Sequence, residues 1–387
     1  MPARARCNNE RMTETATPHR KPRAPHRVPL WDNARWLAIA LVVVGHGILP
    51  LIAESDAAYS VYLFIYAFHV PVFVAVSGYM AKATSPGTRQ IKRLITDIVV
   101  PYVIFETIWT TIRWLLGGSF ALDYATASWT LWFLIALALW RVLLPYIAVL
   151  RYPLLITMGI SVFAGYFPAI DATFALSRTI GLLPFFVFGW ALRQRQVTGH
   201  WLALRPRVIW RWRAGALALF LALAVTVVVF VQPLRDLKVR RFLLYDEPYP
   251  AIGYPEWWAG GIRLGLMILA MVLAIAFLML LPRRPTWFTA LGGATMYIYL
   301  LHSFLLYPLR ESGVLDGPQP WWVLPGMILL CLAIALLLSQ RFIRRAFRPL
   351  VEPRVTWLFR REAPATPAPT ETLHLPPPVA PPGPPAS

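Results

Sequence analysis

The stretch Asp32-Asn33-Ala34-Arg35-Trp36-Leu37-Ala38-Ile39-Ala40-Leu41-Val42-Val43-Val44-Gly45-His46-Gly47 decides how the chain is read. Most of it is an apolar run of the kind that crosses a bilayer. A histidine flanked by two glycines lies deep inside the run, and an arginine stands at its entrance, eleven residues earlier. At about 100° per residue this spacing leaves Arg35 and His46 about 20° apart around a helix and roughly 16 Å apart along it. Asp32 lies about 40° from the same line. One stripe therefore joins a charged cluster at one end of the span to an ionisable ring in its interior. An ionisable side chain at that depth is a functional-site candidate by default, the structural alternative being an interhelical hydrogen bond.

Composition extends the membrane reading to the whole chain. Of 387 residues, 58% are hydrophobic and only 14% charged, against about a quarter charged in soluble domains. The net charge of +19 invites a nucleic-acid reading, but the basic residues sit in the tails and in alternate short loops, which is the positive-inside pattern. Cys7 and Cys331 offer neither a disulfide framework nor metal-ligand spacing. The expectation is an all-α polytopic protein with no metal and no nucleic-acid partner. Residues 1–29 read as a disordered basic arm, 30–350 as the membrane domain and 351–387 as a Pro-rich disordered tail.

Ten spans are predicted, near 34–53, 60–81, 94–116, 128–149, 152–168, 179–192, 214–231, 260–281, 290–308 and 321–342. Basic residues gather after the even-numbered spans, for example Lys82, Arg89, Lys92 and Arg93 after the second and Arg341, Arg344, Arg345 and Arg348 after the tenth. The intervening loops carry Glu54, Asp56, Asp123, Asp171, Asp246 and Glu247. This alternation predicts a multi-pass cell-membrane protein with both termini cytoplasmic. The longest outer loop, about 232–259, holds Tyr245, Tyr249, Tyr254, Trp257 and Trp258 among several charges. Those rings suit sugar stacking and an interfacial aromatic belt equally.

With the topology set, depths can be compared. His46, His69, Glu106 and His302 each lie about twelve residues from the basic end of their spans, roughly 18 Å into a core near 30 Å thick. Three imidazoles and a carboxylate on four spans thus share one layer, and buried ionisable groups find their cheapest partners in each other. Gly45 and Gly47 thin the helix around His46, and Pro71 is expected to kink the second span and free a carbonyl. Ser77 and Tyr79 supply hydroxyls one to two turns nearer the basic side. Arg178 stands at the outer entrance of the sixth span, placed either to snorkel to headgroups or to point into an outward cavity. A neutral histidine in such a cavity is a good general base for a hydroxyl, with Glu106 or another imidazole to hold its tautomer. Arg35, Arg89, Lys92 and Arg93 together suit a phosphorylated cofactor arriving from the cytoplasm.

These residues resemble the acyltransferase-3 family of integral membrane acyltransferases. Arg35, ten residues, then His46 is similar to its Arg-x10-His signature. Trp31 to Arg35 with Val43 to His46, Phe68-His69-Val70-Pro71-Val72-Phe73 with Ser77-Gly78-Tyr79, and Leu131-Trp132-Phe133-Leu134 look like its fucose-4-O-acetylase-like branch. Ser177-Arg178 with Leu183-Pro184-Phe185-Phe186, and Tyr297 to His302, continue the likeness over about residues 29–345. The resemblance implies a ten-helix core that carries an acyl group, typically acetyl, from cytoplasmic acyl-coenzyme A to a sugar or glycoconjugate hydroxyl at the outer face. It implies His46 as the essential histidine; His69, Glu106 and Ser77 are its expected companions from their positions in the spans. Arg35 would stand near the coenzyme A end. The family's basic motif after the second span maps imperfectly onto Arg89, Lys92 and Arg93. Arg178, His302 and Trp132 are the candidates for acceptor binding. Direct transfer and an acyl-histidine intermediate both fit, and the rival class is a proton-coupled transporter or flippase for a lipid-linked sugar.

Overall fold

The computed structural model describes residues 28–84 and 87–359. Most of the predicted N-terminal arm and the tail beyond Phe359 lie outside the described residues. The described chain is helical, with a single isolated bridge between Thr126 and Thr173 in place of any strand. The frame consists of α1 (Pro29–Gly47), α2 (Asp56–Met80), α3 (Thr88–Leu115), α4 (Trp132–Ile147), α5 (Pro153–Ala164), α6 (Leu176–Gln194), α7 (Pro206–Val229), α8 (Ala259–Leu280), α9 (Thr289–Glu311) and α10 (Val323–Leu338). Of these, α2, α3, α7, α8 and α9 are long and apolar enough to cross a membrane. Three more, α4, α5 and α10, are shorter apolar helices.

Proline punctuation explains several boundaries. Pro29, Pro153 and Pro206 open α1, α5 and α7, where a missing N–H costs nothing. Pro50 cannot donate to the His46 carbonyl, so α1 stops at Gly47 and a 3₁₀ turn, Leu49–Ile52, follows. The first helix therefore ends at Gly47, short of the predicted end at 53, and His46 sits in its last turn. Pro71 acts as expected: α2 breaks at Ala67–Phe68 and restarts at His69. The entry to α2 is capped by Ser55, whose Oγ accepts from the Ala58 N–H at 3.2 Å.

The helices meet closely where glycines allow it. A Cβ on Gly78 would fall 1.9 Å from the Phe186 carbonyl oxygen, and one on Gly189 would fall 1.8 Å from that of Ala75. The second half of α2 and α6 thus touch backbone to backbone, through one glycine from each. Gly45 admits the Tyr66 ring and Gly47 the Cys331 sulfur against α1. The glycines around His46 bring α2 and α10 up to it.

Asn33, one residue into the opening motif, ties α1 to the connection between α8 and α9. Its Nδ2 donates to the Pro282 carbonyl at 3.0 Å, and its Oδ1 accepts from Thr289 Oγ1 at 2.7 Å. The side chain is fully buried, so Asn33→Ala leaves these groups unpaired. We expect it to cost about 1–3 kcal/mol, read as a lower midpoint of thermal unfolding in detergent with helix content retained below the transition.

The aromatic residues of the long loop before α8 divide into buried and exposed ones. Tyr245 and Tyr249 are buried, and the guanidinium of Arg263 lies over both rings, at 5.3 and 4.5 Å. Tyr249 also donates to the Val162 carbonyl at 2.9 Å. These two rings hold the loop onto α5 and α8, while Trp257 is left 85% exposed.

Candidate functional site

The termination of α1 and the break in α2 open a cavity between them. It encloses about 220 Å³ and is lined from α1 by Val42 and His46, from α2 by Tyr62, Tyr66, His69 and Phe73, and from α9 by Tyr299. Trp129, Thr130 and Trp132 close it at the start of α4. Arg178 of α6 and Arg240 and Asp246 of the long loop stand at the end opposite to Arg35.

The three histidines differ in how they are held. His69 Nδ1 lies 2.9 Å from the Ile65 carbonyl, and His302 Nδ1 lies 2.9 Å from the Ile298 carbonyl. A carbonyl can only accept, so each Nδ1 carries a proton and each Nε2 of the neutral ring is a bare acceptor. His46 is different: its Nδ1 is buried and meets no hydrogen-bond partner. Its ring centroid is 5.5 Å from that of His302, whose Nε2 is likewise buried and unpartnered. Trp129 forms the other wall, edge-on at 6.4 Å. His302 itself is fully buried behind the cavity, and His69 lines it with its ring packed edge-on against Tyr66.

At the opposite end, charges and rings converge. Arg178 donates to Asp246 Oδ2 at 2.7 Å, and its guanidinium lies 5.1 Å from the Trp132 ring. Arg178 thus points into the cavity, which answers the choice between snorkelling and lining. Asp246 Oδ1 and Arg240 Nε are both buried without a hydrogen-bond partner, so one acceptor and one donor stay unsatisfied on residues that line the cavity.

A stripe ending in an unheld imidazole, a cavity with polar groups at its mouth and a helical frame fit one known domain. The acyltransferase-3 family, described as an acyltransferase domain, matches residues 29–340. The chain belongs to that family. It is accordingly a membrane acyltransferase. No curated protein and no solved structure matches it.

Within this acyltransferase the remaining sequence candidates lie apart from the cavity. Glu106 is fully buried in α3, but its carboxylate accepts from the Ser128 backbone N–H at 2.8 Å and from the Ser128 hydroxyl, with Arg113 at 3.5 Å. It does not line the His46 cavity. What it does is pin Ser128, and so the neighbouring Trp129, whose φ of 48° is left-handed. Ser77 Oγ donates to the Phe73 carbonyl at 2.9 Å within its own helix and is also absent from the cavity wall.

Arg35 pairs with Asp32 at 3.8 Å at the opposite end of α1 from His46. Arg89 and Arg93 are exposed on the first turns of α3, and the Lys92 ammonium lies 5.8 Å from the Phe359 ring. The basic residues named from the sequence thus stand at one end of the acyltransferase, and the Arg178–Asp246 pair at the other. Sequence reasoning missed Trp129, Thr130, Tyr299, Arg240 and Asp246 as cavity residues. Asp246 and Arg240 were visible only as charges in a loop, and nothing in their spacing marks them as meeting Arg178.

Proposed function

We propose that the protein is an O-acyltransferase of the fucose-4-O-acetylase-like kind. It moves an acetyl group from cytoplasmic acetyl-coenzyme A to a sugar or glycoconjugate hydroxyl at the outer face of the cell membrane, through a ten-span core with both termini cytoplasmic. The observation that carries this reading is His46: of the three inward histidines, it alone has no backbone carbonyl on its Nδ1 and it lines the cavity.

In this mechanism a small rotation brings the His46 Nδ1–H onto the bare Nε2 of His302. That fixes the tautomer and turns His46 Nε2 into the base. His46 Nε2 takes the proton of the acceptor hydroxyl as its oxygen attacks the thioester carbonyl. Thr130 Oγ1, buried and unpartnered at the cavity wall, donates to the developing oxyanion. The carbon–sulfur bond then breaks, the imidazolium returns its proton to the thiolate, and the products are an ester and free coenzyme A. His69, with its proton on Nδ1, offers the acceptor a lone pair. Glu106 serves at one remove, by setting the Trp129 wall. Ser77 acts through the packing of α2. Arg35, Arg89, Lys92 and Arg93 form the mouth through which the coenzyme approaches.

At the acceptor end, Trp132 and Arg178 present a ring face and a guanidinium, with Asp246 Oδ1 unpartnered beside them. Arg178→Ala removes both the cation over Trp132 and the partner of a largely buried carboxylate. We expect acceptor KM to rise about tenfold to a hundredfold, with the KM for acetyl-coenzyme A unchanged. Both are read from initial rates with purified protein and a glycan fraction of the host envelope. The reading as a whole is tested by acetyl-coenzyme A protection: a raised unfolding midpoint on adding the donor supports it, and no shift at saturating donor, together with no coenzyme A release on adding acceptor, sinks it.

A further inference from the structure

The charged groups after α10 form a cleft of their own. Arg341, Arg344, Arg345 and Arg348 line it together with Tyr297 and Glu352, around about 360 Å³. Their spacing of three, one and three residues is that of one helical face, and the two short helices Arg341–Ala346 and Arg348–Val351 realise it. The segment is anchored: Val351 is buried, and Arg348–Val351 packs on α3 and α9. Glu352 pairs with Arg348 at 3.4 Å. Arg341, Arg344 and Arg345 have no carboxylate partner among the described residues, so the cleft carries a net charge of +3 from four arginines and one glutamate. Arg344 lies 5.8 Å from the Tyr297 ring, and its Nε is buried without a hydrogen-bond partner.

Membrane orientation calls for basic residues on one side, but it calls neither for their convergence on one cleft nor for a buried guanidinium nitrogen left unsatisfied. Like charges gathered around one space repel unless an anion enters it. Guanidinium forks match phosphate oxygens in geometry as well as charge. We propose that this cleft is a phosphate site, taking an anion with two or more negative charges. Two sources carry that chemistry: the phosphates of coenzyme A, which rests on the acyl-coenzyme A reading above, and the headgroup of an anionic lipid in the same leaflet. Phe359, which follows the cleft in the chain, lies beside Lys92, so a coenzyme held here would adjoin the basic start of α3.

The test uses the full chain in nanodiscs, as wild type and as the double variant Arg344→Gln, Arg345→Gln, with Arg344→Lys, Arg345→Lys as the charge-preserving control. In phosphatidylcholine discs, coenzyme A and adenosine 3′,5′-bisphosphate are titrated calorimetrically. In a second arm, retention of phosphatidylglycerol is followed by native mass spectrometry. A Kd for coenzyme A raised tenfold or more in the Gln variant, and less in the Lys variant, supports the site with the coenzyme as occupant. Unchanged coenzyme affinity with phosphatidylglycerol lost from the Gln variant supports the site with a lipid occupant. Both quantities unchanged in a monodisperse Gln variant overturn it. A double Gln variant that does not fold hands the decision to Arg345→Gln, at an exposed position, whose weakened binding in either arm supports the site and whose wild-type binding in both overturns it. Wild type that binds no coenzyme A contradicts the acyl-coenzyme A reading and leaves the cleft to the lipid arm.

Discussion

Replacing His46 by Ala is expected to lower acyl transfer by about 10²–10⁴-fold, the range a positioned general base contributes, with little loss of stability. The two halves of that expectation come from the same observation. His46 Nδ1 makes no hydrogen bond in the resting structure, so its removal strands no partner. The same nitrogen's freedom is what lets His302 Nε2 capture its proton when the ring turns. His302→Ala behaves differently on this account. It leaves His46 able to act but removes the group that holds its tautomer, so kcat falls by about tenfold while both KM values stay near wild type. His302 is fully buried and bonded to Ile298, so this variant also loses stability. Steady-state kinetics on the two purified variants, with unfolding midpoints beside them, separate the roles. Equal kinetics for His302→Ala and wild type would remove His302 from the mechanism without touching His46.

Valine at Gly78 or at Gly189 is expected to prevent assembly of the frame. The added Cβ would sit 1.9 or 1.8 Å from a backbone carbonyl oxygen of the opposing helix, less than any real contact. No side-chain rotation relieves a clash with backbone, so α2 and α6 must separate. Overpacking typically costs about 1–3 kcal/mol and more where backbone must move; here the expected loss is at the upper end or beyond. Separation would also carry His69 away from Arg178. The measurement is the yield of monodisperse protein after detergent extraction, with Gly215→Val as the control, since a Cβ there meets nothing within 4 Å. Normal yield and midpoint for both glycine variants would mean that the two helices do not touch as described.

How much of this was legible in the sequence depends on which coordinate is asked for. Position along a helix was legible, because residues count off at a fixed rise, and His46 and His302, counted into one layer, lie with ring centroids 5.5 Å apart. Direction around the axis was not. In α3 a π turn at Ile95–Val99, seven residues before Glu106, adds a residue to the winding, and one residue is about 100° of rotation. The carboxylate meets Ser128 and not the cavity. In α2 the break before His69 resets the angle in the same way, there in the histidine's favour. Pro71 announced that break in the sequence; nothing announced the π turn.

Long-range partners were the other blind spot. Arg178 was legible as an arginine at a helix entrance, but its partner Asp246 comes from a loop 68 residues on. Tyr245 and Tyr249 look as suited to sugar as Trp257 does. The burial of their rings under Arg263 is a property of how α5 and α8 dock, not of local spacing. Asn33 was passed over beside Arg35 because a polar residue at a span's edge is ordinary. Its bonds to Pro282 and Thr289 cross some 250 positions of chain, matching the 249 and 256 residues that separate the partners.

In the proposed reaction a donor from the basic side of the membrane meets, at His46, an acceptor that enters the cavity from the Arg178 end. Sealed inverted vesicles test it directly. They expose the cytoplasmic face, so acetyl-coenzyme A labelled in the acetyl group is added outside. The acceptor glycans are enclosed. Labelled ester is expected on the enclosed glycan, resistant to external esterase until detergent is added, and absent from vesicles carrying His46→Ala. Label accessible to esterase without detergent, or equal labelling with and without the histidine, would contradict it.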